Sequence, residues 1–307
     1  MKMKALIYGL LASLLVSLPA LGHAPQLEHR FADVNGVRLH FVSAGSGKLI
    51  VFLHGFPQFW YQWQRQLAEF SKDHHVVAPD MRGYNWSSKP PAVEQYRIEY
   101  LVEDVRALAE HLGHTQFVLV GHDWGGVVAW AFALAHPRVL EKLVILNAPH
   151  LVIFARELAD NPAQQVAYQD IRSYRSPGAA EMLRANNYER LVTSVLADGL
   201  QAGWLSEADR QAYLEAWSQP GALTSALHYY RAAPVMPPPA HHAPLEVPTL
   251  LIWGLKDPYL LAGNLSGIRK LVPQVTVQVL PDAGHWVNRE KPGEVNTLMR
   301  EFLQTKE

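Results

Sequence analysis

The chain of 307 residues contains no cysteine. That absence excludes disulfides, thiolate metal ligands, a cysteine nucleophile and a lipid-modified N-terminal cysteine. Charge is also scarce: Asp, Glu, Lys and Arg make up 18% of the residues and nearly cancel, leaving a formal net charge of −1. Without a basic block, nucleic acid and acidic surfaces are not expected partners. The 15 histidines are scattered rather than set at ligand-like spacing, so no metal site is expected. No internal repeat is visible, and beyond the first two dozen residues no stretch is apolar enough to cross a membrane.

What is present is a large apolar fraction, 49% of the chain, enough for one substantial core. Residues 1–24 differ from the rest. Lys2 and Lys4 precede an apolar run from Ala5 to Leu18, then Pro19 and small residues. This pattern reads as a secretory signal peptide cleaved after Gly22 or Ala24, which implies a periplasmic or secreted protein with no stable membrane insertion after cleavage. An uncleaved anchor is the alternative reading.

From residue 25 onward the pattern is that of alternating strands and helices. Arg30–Val34 and Val37–Val42 flank Asn35-Gly36, a hairpin signal. Short apolar runs at 49–53, 75–79, 117–121, 143–147, 249–253 and 275–280 predict buried strands. Helical patterns fall between them, including Tyr100–Leu112, and Pro292–Leu303 closes the chain. Such alternation predicts a mainly parallel sheet of eight strands with helices on both faces. The alternation breaks between residues 151 and 244, which are alanine-rich and helical in character. They are read as a cap inserted between core parts 25–150 and 245–307, with Pro234–Pro239 and His241–Pro244 as a rigid return.

The chemistry is concentrated at strand ends. Gly121-His122-Asp123-Trp124-Gly125-Gly126 follows one apolar run and precedes a helical one. That is the setting of a nucleophile elbow, with Asp123 in the attacking position. An aspartate attacks an sp³ carbon to form an ester but is poorly suited to opening amides or ordinary esters. Such an ester requires a water-activating base. Asp257 follows the run 249–253 and His285 follows 275–280, so the order is nucleophile, acid, histidine. His285 is the candidate base and Asp257 the residue that orients it. His54-Gly55-Phe56-Pro57, after the run 49–53, supplies the fourth element: the backbone N–H groups of Phe56 and Trp124 are candidate oxyanion donors. His54 and His122 are expected to orient loops, and Asp80 and Arg82 to form a structural ion pair. Phe56, Trp60, Trp124 and Trp286 are candidate pocket walls.

Taken together, HGFP at 54–57, DMRGY at 80–84, GHDWGG at 121–126, WGLKD at 253–257 and GHW at 284–286 resemble the epoxide hydrolase branch of the α/β-hydrolases. The resemblance runs from about Phe31 to the C-terminus. It implies the α/β-hydrolase fold, no cofactor, and a reaction opening a small apolar epoxide with water through an ester on Asp123. It also implies two ring-opening tyrosines in the cap. Tyr230, in Leu227-His228-Tyr229-Tyr230-Arg231, matches one, and Tyr174 before Pro177-Gly178 is the candidate for the other. Its spacing is one residue short of the family's, and Tyr168 lies further back.

Two other outcomes stay open at this point. Dehalogenases of haloalkanes or haloacids use the same triad, although relatives of those types often carry asparagine where this chain has Phe56, or arginine where it has Trp124. A ligand-binding protein on a retired hydrolase scaffold is the non-enzymatic reading; product accumulating beyond one equivalent per enzyme separates it from a catalyst. Oligomeric state leaves no mark in the sequence.

Overall fold

The computed structural model describes residues 26–233 and 244–305. The proposed signal segment and the proline-rich return at 234–243 lie outside them. Eight strands form one sheet: β1 (Glu28–Val34), β2 (Val37–Ala44), β3 (Leu49–Leu53), β4 (His75–Pro79), β5 (Phe117–His122), β6 (Leu140–Leu146), β7 (Thr249–Gly254) and β8 (Val275–Leu280). Their order is β1-β2-β4-β3-β5-β6-β7-β8. The hairpin at one edge pairs antiparallel and β2 runs antiparallel to β4, while β3 through β8 run parallel. Asn35 and Gly36 both take positive φ (46° and 74°), as a two-residue turn between right-twisted strands requires.

The central strands are buried throughout because helices cover both faces. Leu49 to Leu53 and Leu143 to Leu146 have no exposed surface. The layers include α1 (Gln64–Phe70), α2 (Ile98–His111) and α3 (Trp124–Ala135), with a last helix at Pro292–Gln304. One strand differs from expectation. β6 starts at Leu140, earlier than its apolar run, because Lys142 is buried in it with its ammonium bonded to the carbonyls of Phe302 and Thr305 at 2.7 and 2.8 Å. These carbonyls end the last helix and attract a cation. The strand stops at Leu146 because Asn147 turns to φ 40°.

Between β6 and β7 the chain leaves the sheet and runs through helices from Leu151 to Ala232, beginning with α4 (Leu151–Asp160) and α5 (Pro162–Ala167). Buried polar contacts dock this region on the core. Gln164 of α5 donates to Tyr259 O at 2.7 Å and accepts from Leu261 N at 2.9 Å. Trp217 Nε1 donates to Pro57 O at 2.6 Å, and Tyr229 Oη to Arg82 O at 2.9 Å. Among the described residues no helix is long and apolar enough to cross a membrane.

The tightest approach in the core is where α3 meets the loop after β3. A Cβ on Gly125 would stand 2.2 Å from Leu53 O, and one on Gly121 would stand 2.4 Å from Gly125 O. Both blocking atoms are backbone and cannot swing aside. Gly125→Ala is therefore expected to destabilise the fold by about 1–3 kcal/mol, read from the urea midpoint. An unchanged midpoint would show that the contact is softer than it looks.

Candidate active site

Asp123 sits between β5 and α3 with φ 51° and ψ −121°. This conformation is strained for a residue with a side chain and is held by the packing on either side. The turn projects the carboxylate toward the loop after β3. Asp123 Oδ1 accepts the Phe56 N–H at 2.7 Å, and the Trp124 N–H also bonds this carboxylate. Both expected oxyanion donors are thus directed at the Asp123 side chain itself. The Phe56–Pro57 peptide is cis.

The other oxygen, Oδ2, faces His285 Nε2 at 3.7 Å. His285 Nδ1 donates to Asp257 Oδ2 at 2.7 Å. Asp257 is further held by Tyr259 N and Leu260 N on Oδ1, at 2.8 and 2.9 Å, and by Asn147 Nδ2 on Oδ2, at 2.7 Å. These contacts are charge-assisted and fix the carboxylate's plane. Asn147 also accepts the Gly254 N–H at 2.9 Å, which ties the end of β6 to the end of β7. Sequence reading passed over Asn147. The residue follows an apolar run, where a polar residue is unremarkable until β7 is seen beside it.

Electrostatics follow from burial and these partners. Burial pushes the Asp123 carboxyl up and prevails over the opposing pull of His285 and the two N–H groups. For Asp257 burial also pushes up, but His285, Asn147 and Leu260 N–H outweigh it and hold the group below its ordinary range. Burial lowers His285, yet Asp257, Asp123 and Glu290 more than compensate, leaving the imidazole above its ordinary 6.5. Its neighbours behave differently. His54 and His122 are pushed down by burial to about 4 and about 3, so both stay neutral. His54 donates from Nδ1 to Gly55 O and accepts Met81 N on Nε2, both at 2.9 Å. His122 Nε2 donates to His285 O at 2.8 Å. Both histidines brace loops, as expected.

Above Asp123 stands a ring of aromatics. Tyr230 packs edge-on against Phe56 at 5.3 Å and Trp124 at 5.1 Å, and Tyr174 lies 5.2 Å from Tyr230 and 5.3 Å from Phe56. Trp286 stands edge-on to His285 at 5.3 Å. The hydroxyls of Tyr168, Tyr174 and Tyr230 make no hydrogen bond to protein among the described residues, whereas that of Tyr229 is committed to Arg82 O. Burial raises the phenols of all three, and Asp123 raises each further. Tyr168 therefore shares the features that single out Tyr174.

Two expectations need correction. Trp60 does not line this site: its ring packs on His29, Phe59 and Tyr61, because the short 3₁₀ turn Trp60–Trp63 carries it toward the β1–β2 edge. Its N–H donates to Asp80 Oδ1 at 3.1 Å. Asp80 and Arg82 are buried but do not pair with each other: Asp80 Oδ2 is hydrogen-bonded to His40 Nδ1 at 2.6 Å, and Arg82 is ion-paired with Asp104 through two nitrogens. Among the described residues, no group of acidic or histidine side chains is placed to hold a metal ion.

Residues 48–292 match the family model described as the alpha/beta hydrolase fold. The chain is 37% identical to the AB hydrolase superfamily protein YfhM of Bacillus subtilis over 90% of this chain and 97% of that one. It is 36% identical to epoxide hydrolase 3 of Xenopus tropicalis, covering 88% of this chain and 76% of the relative. The crystal structure of the Bacillus megaterium epoxide hydrolase with an inhibitor superposes with a TM-score of 0.87 at 39% identity, over 90% of this chain and all of that one. The chain belongs to the epoxide hydrolase branch of the α/β-hydrolases. Like its relatives it is a hydrolase, and the reading as a binding protein on a retired scaffold is set aside.

As the candidate base of this epoxide-hydrolase-family protein, His285 would have to be neutral to take a proton from water. Its raised pKa puts the acid limb of the kcat–pH profile above 6.5, with activity rising as pH rises through it. Asp257→Asn removes the charge that does most to raise the imidazole, so the limb should move to lower pH while kcat falls by on the order of 10⁴, as in serine triads. A limb that stays in place would detach Asp257 from His285.

Proposed function

We propose that the protein opens small apolar epoxides to vicinal diols in two steps, through an ester on Asp123 and without a cofactor. One observation carries this reading: Asp123 Oδ1 is held by backbone donors while Oδ2 is left toward His285, beneath tyrosines with uncommitted hydroxyls. In the first step Oδ2 attacks the less hindered ring carbon, the carbon–oxygen bond breaks, and the alkoxide takes a proton from Tyr230, assisted by Tyr174. Tyr168 is the rival for the assisting role. In the second step His285, oriented by Asp257, removes a proton from water. The hydroxide attacks the ester carbonyl carbon, and the Phe56 and Trp124 N–H groups hold the oxyanion. Collapse expels the diol's oxygen, which takes the proton of the new carboxyl group and leaves the carboxylate, and the proton held by His285 returns to the Tyr230 phenolate. Each oxyanion donor is worth about 2.7–4 kcal/mol in comparable sites.

Epoxide hydrolases among the relatives support the substrate class. Phe56 stands where haloalkane dehalogenases often carry asparagine, and Trp124 carries no cation to clamp a haloacid's carboxylate, which weighs against dehalogenation. Export to the periplasm or beyond is proposed on the N-terminal segment alone. N-terminal sequencing of the mature protein should then begin at His23 or Pro25, and an intact Met1 would refute cleavage in favour of the uncleaved anchor.

Intact-mass spectrometry of His285→Gln with epoxides, haloalkanes and haloacetate tests the reaction. The ester should accumulate, with a shift equal to the whole mass of an epoxide. A shift equal to substrate minus hydrogen halide would make the protein a dehalogenase, and no adduct would remove Asp123 from its role. Tyr230→Phe should slow ester formation by roughly 10²-fold or more and leave ester decay unchanged. Equal slowing of both steps would mean only a packing defect.

A further inference from the structure

The loop that carries His285 is gripped by a side chain outside the triad. Gly284, His285 and Trp286 lie just before the short helix Val287–Glu290, whose last residue folds back over them. Glu290 Oε2 accepts the Gly284 N–H at 2.7 Å, and Oε1 accepts the Trp286 N–H at 3.2 Å. One carboxylate thus binds the backbone donors on both sides of His285. Gly284 admits this contact closely: a Cβ there would stand 3.0 Å from Glu290 Oε1.

We infer that Glu290 is a positioning residue for the ester-hydrolysis step, fixing the His285 backbone and favouring the imidazolium that forms as water is deprotonated. This rests on the two-step reading proposed above. Two N–H donors on one carboxylate define the loop's position more tightly than either alone. A fixed negative charge near the ring stabilises its protonated form. Several groups face His285. Asp257 lies across the ring after β7, Asp123 lies beyond Nε2, and the neutral His122 ring lies 4.8 Å away. Tyr259 meets the ring edge-on at 5.4 Å. Asp257 holds Nδ1 and Asp123 is consumed as the ester, so during hydrolysis the carboxylates facing the imidazolium are those of Asp257 and Glu290. Burial lowers the imidazole and Glu290 is among the groups that raise it. In the alkylation step His285 takes no proton, so that step should not depend on Glu290.

Glu290→Gln, which preserves volume and removes charge, tests this in two ways. NMR titration of the His285 imidazole, in protein without substrate, should show a lower pKa than in the wild type. Single-turnover mass spectrometry with styrene oxide should show ester formation within about twofold of wild type. Ester decay should slow by roughly 10–100-fold, the range seen when outer partners of metal-bound histidines are removed. Glu290→Asp, which keeps the charge, should recover most of the titration shift and guards against a folding artefact. An unchanged titration with wild-type ester decay would overturn the inference. Equal slowing of both steps with an unchanged titration would also overturn it. If the wild type forms no ester at all, the two-step reading fails instead, and Glu290's influence on the imidazole is still read by NMR.

Discussion

The site depends on how closely the turn at Asp123 packs against the loop after β3. Gly121 and Gly125 let strand, helix and loop approach to distances at which a Cβ would collide with backbone. That approach brings the Phe56 N–H within 2.7 Å of the Asp123 carboxylate. A wider gap would leave the carboxylate without its donor and the donor without its acceptor, each buried at a cost of about 1–3 kcal/mol. The strained backbone of Asp123 is the local consequence, offset by packing around it. From this single constraint follow the orientation of both carboxylate oxygens and the place where an oxyanion would form.

Around that contact the protein has built a frame of buried polar bonds. Asn147 joins the ends of β6 and β7 and holds Asp257. Gln164 connects the helical region to the segment 259–264, which also supplies N–H donors to Asp257. His54 ties the oxyanion loop to the end of β4 through Met81 N. In a low-dielectric interior such fully paired networks are rigid, and their members are costly to strand. Asp257, His285 and Asp123 come from three different strand ends. Their mutual geometry is therefore set by the sheet order and maintained by these cross-links.

Much of this could be read from the chain because its signals are local. Gly-x-Asp-x-Gly between an apolar strand and a helix has one economical structural meaning, and Asn35-Gly36 another. The supports of the triad were hidden for the opposite reason. Asn147 matters only because β7 lies beside β6, and Gln164 only because a helix distant in sequence lands on Tyr259. Lys142 concealed the start of β6 by placing a charge in a strand, since its ammonium finds carbonyls at the chain's far end. Trp60 misled in another way: adjacency in sequence to the oxyanion loop suggested the pocket, but a 3₁₀ turn rotates the ring to the sheet edge. Tyr174 and Tyr168 are not separated by sequence spacing, because both lie on short, irregular helical turns between Gln169 and Arg175 or just before them.

The central claim is that Asp123, and not water, makes the first bond to the substrate. A single turnover in ¹⁸O-labelled water with enzyme in excess over an epoxide tests it directly. If Asp123 attacks, the first diol carries no label and the peptide containing Asp123 gains one ¹⁸O, because water enters at the ester carbonyl carbon. Label appearing in that first diol, with an unlabelled Asp123, would mean that water attacks the epoxide itself and would contradict the account.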